Sequence, residues 1–157
     1  MSTDDEKRVA RLAGINRMFA SQIPFNLALG VELVSLDDGH ATQRLHPDPS
    51  HVGDVETGAM HGGAITTLLD SCCGAAVFMA LPKPAFMATL DLRVDFLKPA
   101  RADAVLHGRA DCTRLTRQVA FVSCAAWQDD PDDPVAVGTA TFAIGTPHGL
   151  PGARKLS

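Results

Sequence analysis

The sequence predicts an α+β fold in which an antiparallel sheet curls around one long apolar helix. Three observations carry this reading. Residues 64–80 are apolar on nearly every side, and a helix that is hydrophobic all round is buried all round. Two strand-like segments precede that stretch and four follow it. The segments after it tend to alternate apolar and polar residues, which gives each strand one face for the helix.

A chain of 157 residues is the size of one domain with a substantial core. Its 46% apolar and 20% charged residues are the ordinary balance of a soluble globular protein. A net charge of −4, with no basic face to offset it, argues against a nucleic-acid binder. The longest uninterrupted apolar run, 72–81, is short for a bilayer span. Asp4, Asp5 and Glu6 are acidic where an export signal is basic. The expected setting is the cytoplasm, away from membranes. There the cysteines at 72, 73, 112 and 124 are expected as reduced, small, buried apolar residues.

Taken in order, residues 4–22 carry apolar side chains at helical spacing, with acidic residues in the first turn and Pro24 as the expected stop. This gives an N-terminal helical segment over 1–26. Residues 29–36 read as a strand, and Asp38-Gly39 marks a hairpin into a return strand over 40–45. A loop rich in Pro, Gly, Asp and His over 46–59 leads to the central helix. In the strand after it, Leu90, Leu92, Val94 and Phe96 share one face, while Thr89, Asp91, Arg93 and Asp95 share the other. Strands follow over 104–113, 118–128 and 135–144, with a polar Asp/Pro loop at 129–134. One domain therefore covers 27–146, and 147–157 is a tail expected to be loosely held.

The central helix opens on His61-Gly62-Gly63. Glycines let a ligand approach the backbone, and the first N–H groups of a helix lack internal partners and sit at the positive end of its dipole. A carbonyl oxygen gaining charge during acyl transfer is stabilised by such a donor, typically by ~2.7–4 kcal/mol. Taken alone, a glycine pair before a helix is more often a tight turn. Asp70 is the one carboxylate in the apolar stretch, and an ionised carboxylate is costly there without a partner. It is either a general base or nucleophile, or a structural group satisfied by Thr66, Ser71 or a loop N–H. Gly63 and Asp70 are seven residues apart, about 10 Å along a helix, too far to serve one carbonyl. Two antiparallel copies of the helix bring Gly62 of one beside Asp70 of the other, which implies a symmetric dimer with shared sites.

Gly58-Ala59-Met60-His61-Gly62-Gly63, with Asp70 nine residues after His61, and Thr89-Leu90-Asp91-Leu92-Arg93-Val94-Asp95-Phe96-Leu97-Lys98-Pro99-Ala100 carry a resemblance. The chain, over about 30–144, resembles the hotdog-fold acyl-CoA thioesterases of the phenylacetate-pathway (PaaI) and 4-hydroxybenzoyl-CoA type. The resemblance implies a hotdog fold, hydrolysis of an aryl- or medium-chain acyl-CoA, and a homodimer or dimer of dimers. It places the donor to the thioester oxygen on Gly62, the acid on Asp70 of the opposing subunit and an assisting hydroxyl on Thr89, with His61 and Gly63 beside them. Six residues before the histidine the family often has Asn or Gln; here that position is Val55, flanked by Asp54 and Glu56.

Coenzyme A, as part of the substrate, needs cations for its phosphates. Lys98 with Arg101, and Arg114 with Arg117, stand at strand ends where such a site could form, although any single one of them reads more readily as a solvated turn residue. Phe78, Met79, Phe86 and Met87 are candidate acyl contacts. The six histidines lack metal-ligand spacing, so neither a metal nor a separate cofactor is expected. Two rival readings remain: a non-catalytic acyl-CoA-binding protein, which Val55 favours, and an enoyl-CoA hydratase. The hydratase wants an Asp/His pair, and no histidine accompanies Asp70 on the helix.

Overall fold

The computed structural model describes Gly14 and residues 23–145. The helix expected over 4–22 and the tail over 147–157 lie outside the described residues. Pro24 opens a short helix, α1 (Pro24–Leu29), because its fixed φ and missing N–H suit the first helical position; its expected role as the stop of the helix over 4–22 falls on that undescribed stretch. Strand β1 (Val31–Asp37) and strand β2 (His40–Leu45) then form the expected hairpin. Gly39 supplies the positive φ of 70° that the two-residue turn demands.

The stretch expected as a plain loop is more ordered than its composition suggests. A 3-10 turn (Pro49–His51) leads into β3 (Val52–Asp54), which pairs with β4 (Ala59–Met60) as a small flap. The Asp54 carboxylate closes the flap's turn by accepting from Glu56 N at 2.9 Å and Thr57 Oγ1 at 2.8 Å. The central helix α2 (Gly62–Ala80) follows, then β5 (Phe86–Phe96), β6 (Leu106–Leu115), β7 (Val119–Trp127) and β8 (Ala136–Gly145). The six long strands form one antiparallel sheet in the order β1-β2-β6-β7-β8-β5, which leaves β5 at an edge.

Helix α2 lies in the hollow of this sheet, against β2, β6 and β7. Leu68, Leu69, Cys72, Cys73, Ala75, Ala76 and Val77 are buried there, with Leu45, Leu106 and Val135 from around them. Small residues on the sheet, among them Ala41, Ala110, Ala120, Ala126 and Ala140, let the helix sink close. Gly108 shows how close: a Cβ there would stand 3.0 Å from Leu68 Cγ. At 19 residues α2 is long and apolar enough to cross a membrane, which the uninterrupted-run measure understated; in this fold the sheet wraps it instead.

The face assignment in β5 needs correction. The ladder to β8 pairs Thr89 with Phe142 and Asp91 with Thr141, so Leu90 is an extra residue. Such a bulge reverses the alternation behind it. Leu92 and Val94 face the core as expected, but Thr89 joins them on the inner face and Leu90 is expelled, 60% exposed.

Candidate active site

The N-terminus of α2 is held by its own first residues. His61 is the N-cap, and its Nδ1 accepts from Gly63 N at 2.9 Å. The ring proton therefore sits on Nε2. The His61 backbone N–H donates to His51 O at 2.7 Å, which ties the helix start to the flap. Helix ends leave several N–H groups without internal partners. With the Gly63 N–H taken by the cap, the Gly62 N–H finds no acceptor among the described residues. Space demands a glycine at 63, while at 62 an added Cβ would press only on the exposed Phe96 ring. A Cβ on Gly63 would lie 2.8 Å from His61 Nδ1, and one on Gly62 3.3 Å from the Phe96 ring.

Two turns along the helix, Asp70 is half-buried, and Thr89 Oγ1 donates to its Oδ1 at 2.9 Å. Its other oxygen accepts no hydrogen bond from the described residues. The structural partners considered for Asp70 are engaged elsewhere. Thr66 Oγ1 donates to Gly62 O at 2.9 Å, and Ser71 Oγ accepts from Asn26 Nδ2 at 2.7 Å. Asn26, buried within the apolar sequence of α1, and His51, whose Nε2 meets Leu29 O at 3.0 Å, brace this end of the fold. Sequence pattern did not single them out, since neither falls in a periodic or motif position.

Gly62 and Asp70 both face β5, at Phe96 and Thr89 respectively, yet eight residues of helix, about 12 Å, separate them. The two groups of one chain therefore cannot meet at a single carbonyl. A groove of about 390 Å³ starts at Gly62 and is lined by Met60, Ile65, Phe96, Leu97 and Pro99, with Lys98 at its rim. A larger groove of about 460 Å³ between residues 47–58 and Arg101 contains neither Gly62 nor Asp70, and its size alone assigns it no chemistry.

The remaining expected residues are spread apart. Val55 stands at the tip of the flap, 91% exposed. Asp54 is consumed by its turn, and its hydrogen bond from Thr57 holds its carboxyl below the usual range. Lys98 pairs with Asp133, whereas Arg117 lies in the β6–β7 turn at the other end of the sheet. Phe86 and Met87 are also at that far end, where Phe86 opposes Gly145. A hydrogen bond to Cys124 together with burial pushes up the Cys73 thiol, and burial pushes up that of Cys72, so neither of these two is poised as a thiolate. Among the described residues no three His, Cys, Asp or Glu side chains gather as a metal ligand set.

A long helix in a curled antiparallel sheet, with a glycine N-terminus and a mid-helix carboxylate facing one sheet edge, defines a hotdog-fold thioester hydrolase. Residues 57–135 match the thioesterase superfamily. A Halobacterium salinarum protein is 37% identical over 123 residues, 74% of this chain and 81% of that protein. The medium/long-chain acyl-CoA thioesterase YigI of Salmonella typhimurium is 29% identical over 144 residues, 83% of this chain and 92% of that one. Among solved structures, a mutant form of the phenylacetic acid degradation protein PaaI from Thermus thermophilus superposes with a TM-score of 0.67 at 28% identity, covering 76% of this chain and 97% of that one. The chain belongs to the thioesterase superfamily.

Proposed function

We propose that this thioester hydrolase cleaves aryl- or medium-chain acyl-CoA to the free acid and coenzyme A, at sites shared between two protomers. The observation that carries the reading is that Asp70 and Gly62 face the same sheet edge while lying about 12 Å apart on one helix. Strand β5 is that edge, and a long unpaired edge is a template for a second strand. Antiparallel pairing of two β5 edges about a two-fold axis sets Gly62 of one copy beside Asp70 and Thr89 of the other. The YigI relatives act on medium- and long-chain acyl-CoA by name, which supports the substrate class.

In this reading the thioester oxygen lies against the Gly62 N–H and the acyl chain enters the apolar groove beside it. Thr89 holds one oxygen of Asp70 and leaves the other free. That oxygen either takes a proton from water as the water oxygen bonds to the acyl carbon, or bonds to that carbon itself. In both routes negative charge gathers on the carbonyl oxygen, where a fixed N–H is worth most. The C–S bond then breaks and the sulfur leaves as coenzyme A, taking up a proton. Where Asp70 attacks, water afterwards hydrolyses the acyl-enzyme.

A panel of acyl-CoA substrates with a free-thiol readout tests the reading. Wild type is expected to release thiol from aryl and medium-chain esters, and a folded Asp70→Asn variant to release almost none. Near wild-type turnover in that variant overturns the mechanism. No turnover on any ester by wild type overturns the substrate class.

A further inference from the structure

As donor to the thioester oxygen, the Gly62 N–H must point in one direction. It lies in the peptide plane that it shares with the His61 carbonyl, so whatever holds the His61 backbone aims the donor. Downstream, His61 O accepts from Ala64 N at 2.9 Å and the His61 ring accepts from Gly63 N, both within the helix start itself. Upstream, the His61 N–H donates to His51 O at 2.7 Å. Gly53 in β3 runs so close that a Cβ on it would stand 2.7 Å from His61 Cα. The upstream hold is therefore only as firm as the 3-10 turn that carries His51.

That turn has three residues, of which Pro49 and Ser50 are exposed. Its own bonds are local: His51 N donates to Asp48 O at 3.0 Å, and Ser50 N donates to the Asp48 carboxylate at 2.7 Å. So short a turn has little rigidity of its own, and the His51 ring ties it to the body of the fold. The ring is buried, 3% exposed, with Nε2 3.0 Å from Leu29 O. Leu29 ends α1, where the last carbonyls of a helix lack helical partners. A carbonyl only accepts, so Nε2 carries the proton and Nδ1 the lone pair. Nδ1 is buried and has no partner among the described residues. An unpaired buried acceptor is costly, so packing alone does not explain an imidazole here, whereas the bond to Leu29 O does.

Helix α1 is anchored in turn. Asn26 Nδ2 donates at 2.7 Å to the hydroxyl of Ser71, the neighbour of Asp70 on α2. A route of hydrogen bonds thus runs outside the central helix, from Ser71 through Asn26, Leu29 O and the His51 ring to His51 O. It ends on the His61 backbone, one peptide from the Gly62 donor.

We propose that His51 is a positioning residue for the hydrolysis: its ring, fixed on Leu29 O, sets the carbonyl that orients the His61 backbone and hence the Gly62 N–H. The proposal rests on the assignment of Gly62 as donor to the thioester oxygen and adds the group that aims it. Negative charge gathers on that oxygen in the transition state, so a misaimed donor slows turnover without weakening substrate binding.

Steady-state kinetics on the acyl-CoA ester that wild type cleaves fastest, with urea unfolding of the same preparations, tests this. His51→Leu fills the space and cannot donate, whereas His51→Gln keeps a side-chain donor for Leu29 O. In His51→Leu, kcat is expected to fall about tenfold or more, with KM within about twofold of wild type. His51→Gln is expected to recover most of the rate. A folded His51→Leu with wild-type kcat overturns the proposal. So does a rise in KM at constant kcat, which marks uniform binding, an equal loss in His51→Gln, or a loss that only follows the fraction unfolded. If His51→Leu does not fold, His51→Asn, whose amide is one methylene short of Leu29 O, replaces it in the comparison with His51→Gln and the same outcomes decide. Gly62→Pro separates the inference from its basis. Turnover surviving there refutes the donor itself, whereas an inactive Gly62→Pro beside an unimpaired His51→Leu refutes only the role of His51.

Discussion

Thr89 Oγ1 reaches Asp70 Oδ1 at 2.9 Å because Leu90 has left the ladder between Thr89 and Asp91. Without that bulge, a strand whose Leu92 and Val94 face the core would turn Thr89 outward. Hydrogen bonds to charged groups are worth about 1.5–3 kcal/mol. Thr89→Val is therefore expected to lower kcat by about tenfold or more, and Thr89→Ser to keep most of it. Equal kinetics for the two variants would show that the hydroxyl does not matter.

The shared-site reading makes a prediction about mixtures. Gly62→Pro removes the donor N–H at a helix position where proline is well tolerated, needing only a small shift of the half-exposed Phe96 ring. It is expected to be inactive, as is Asp70→Asn. Mixed dimers of the two contain one complete site and are expected to recover activity after subunit exchange. Exchange shown by mass spectrometry, without recovery, rules the shared site out.

His61 caps the central helix, its ring turned onto the Gly63 N–H. His61→Ala loses the cap and is expected to cost about 1 kcal/mol of stability together with part of kcat. His61→Asn, a good N-cap, is expected to restore both. Urea unfolding and steady-state kinetics on the same preparations measure this. Restored stability with no restored rate would assign the ring a direct part in the chemistry.

Val55 is 91% exposed and Asp54 is tied into the flap turn. Val55→Asn is expected to leave stability within about 0.5 kcal/mol and to raise kcat at neutral pH by adding a group able to hold water or the departing sulfur. Val55→Ala is expected to leave the rate unchanged. Loss of activity in both variants would show instead that the valine packs on substrate.

On the outer face, Glu32 accepts from Arg44 Nε at 2.9 Å and meets His46 Nε2 at 2.8 Å. The hydrogen bond from Arg44, followed by that from His46, holds its carboxyl below the ordinary value. A carboxyl depressed in the folded state contributes stability above its unfolded pKa and loses that contribution as pH falls through the folded one. Because the pair is partly exposed, Glu32→Gln is expected to cost at most about 1 kcal/mol at neutral pH. The gap to wild type should close on acidification below the ordinary carboxylate range. A gap independent of pH in thermal melts would mean that packing, not charge, is lost.

Composition and periodicity were enough to show the α+β class, the buried helix and the β1–β2 hairpin at Asp38-Gly39, and they singled out Gly62 and Asp70 as candidates for chemistry. These depend on local signals: turn residues, alternation, and a carboxylate out of place in an apolar run. The tertiary structure alone decided which groups meet. The bulge at Leu90 set the face of Thr89, because one extra residue in a ladder reverses every side chain beyond it. Pairing across the fold also set the fate of the cations. Asp129 comes to Arg101 from 28 residues away and Asp133 to Lys98 from 35, while Arg117, at a distant turn, has no ion pair among the described residues. Such partnerships depend on strand order and register, which no local pattern in the chain encodes.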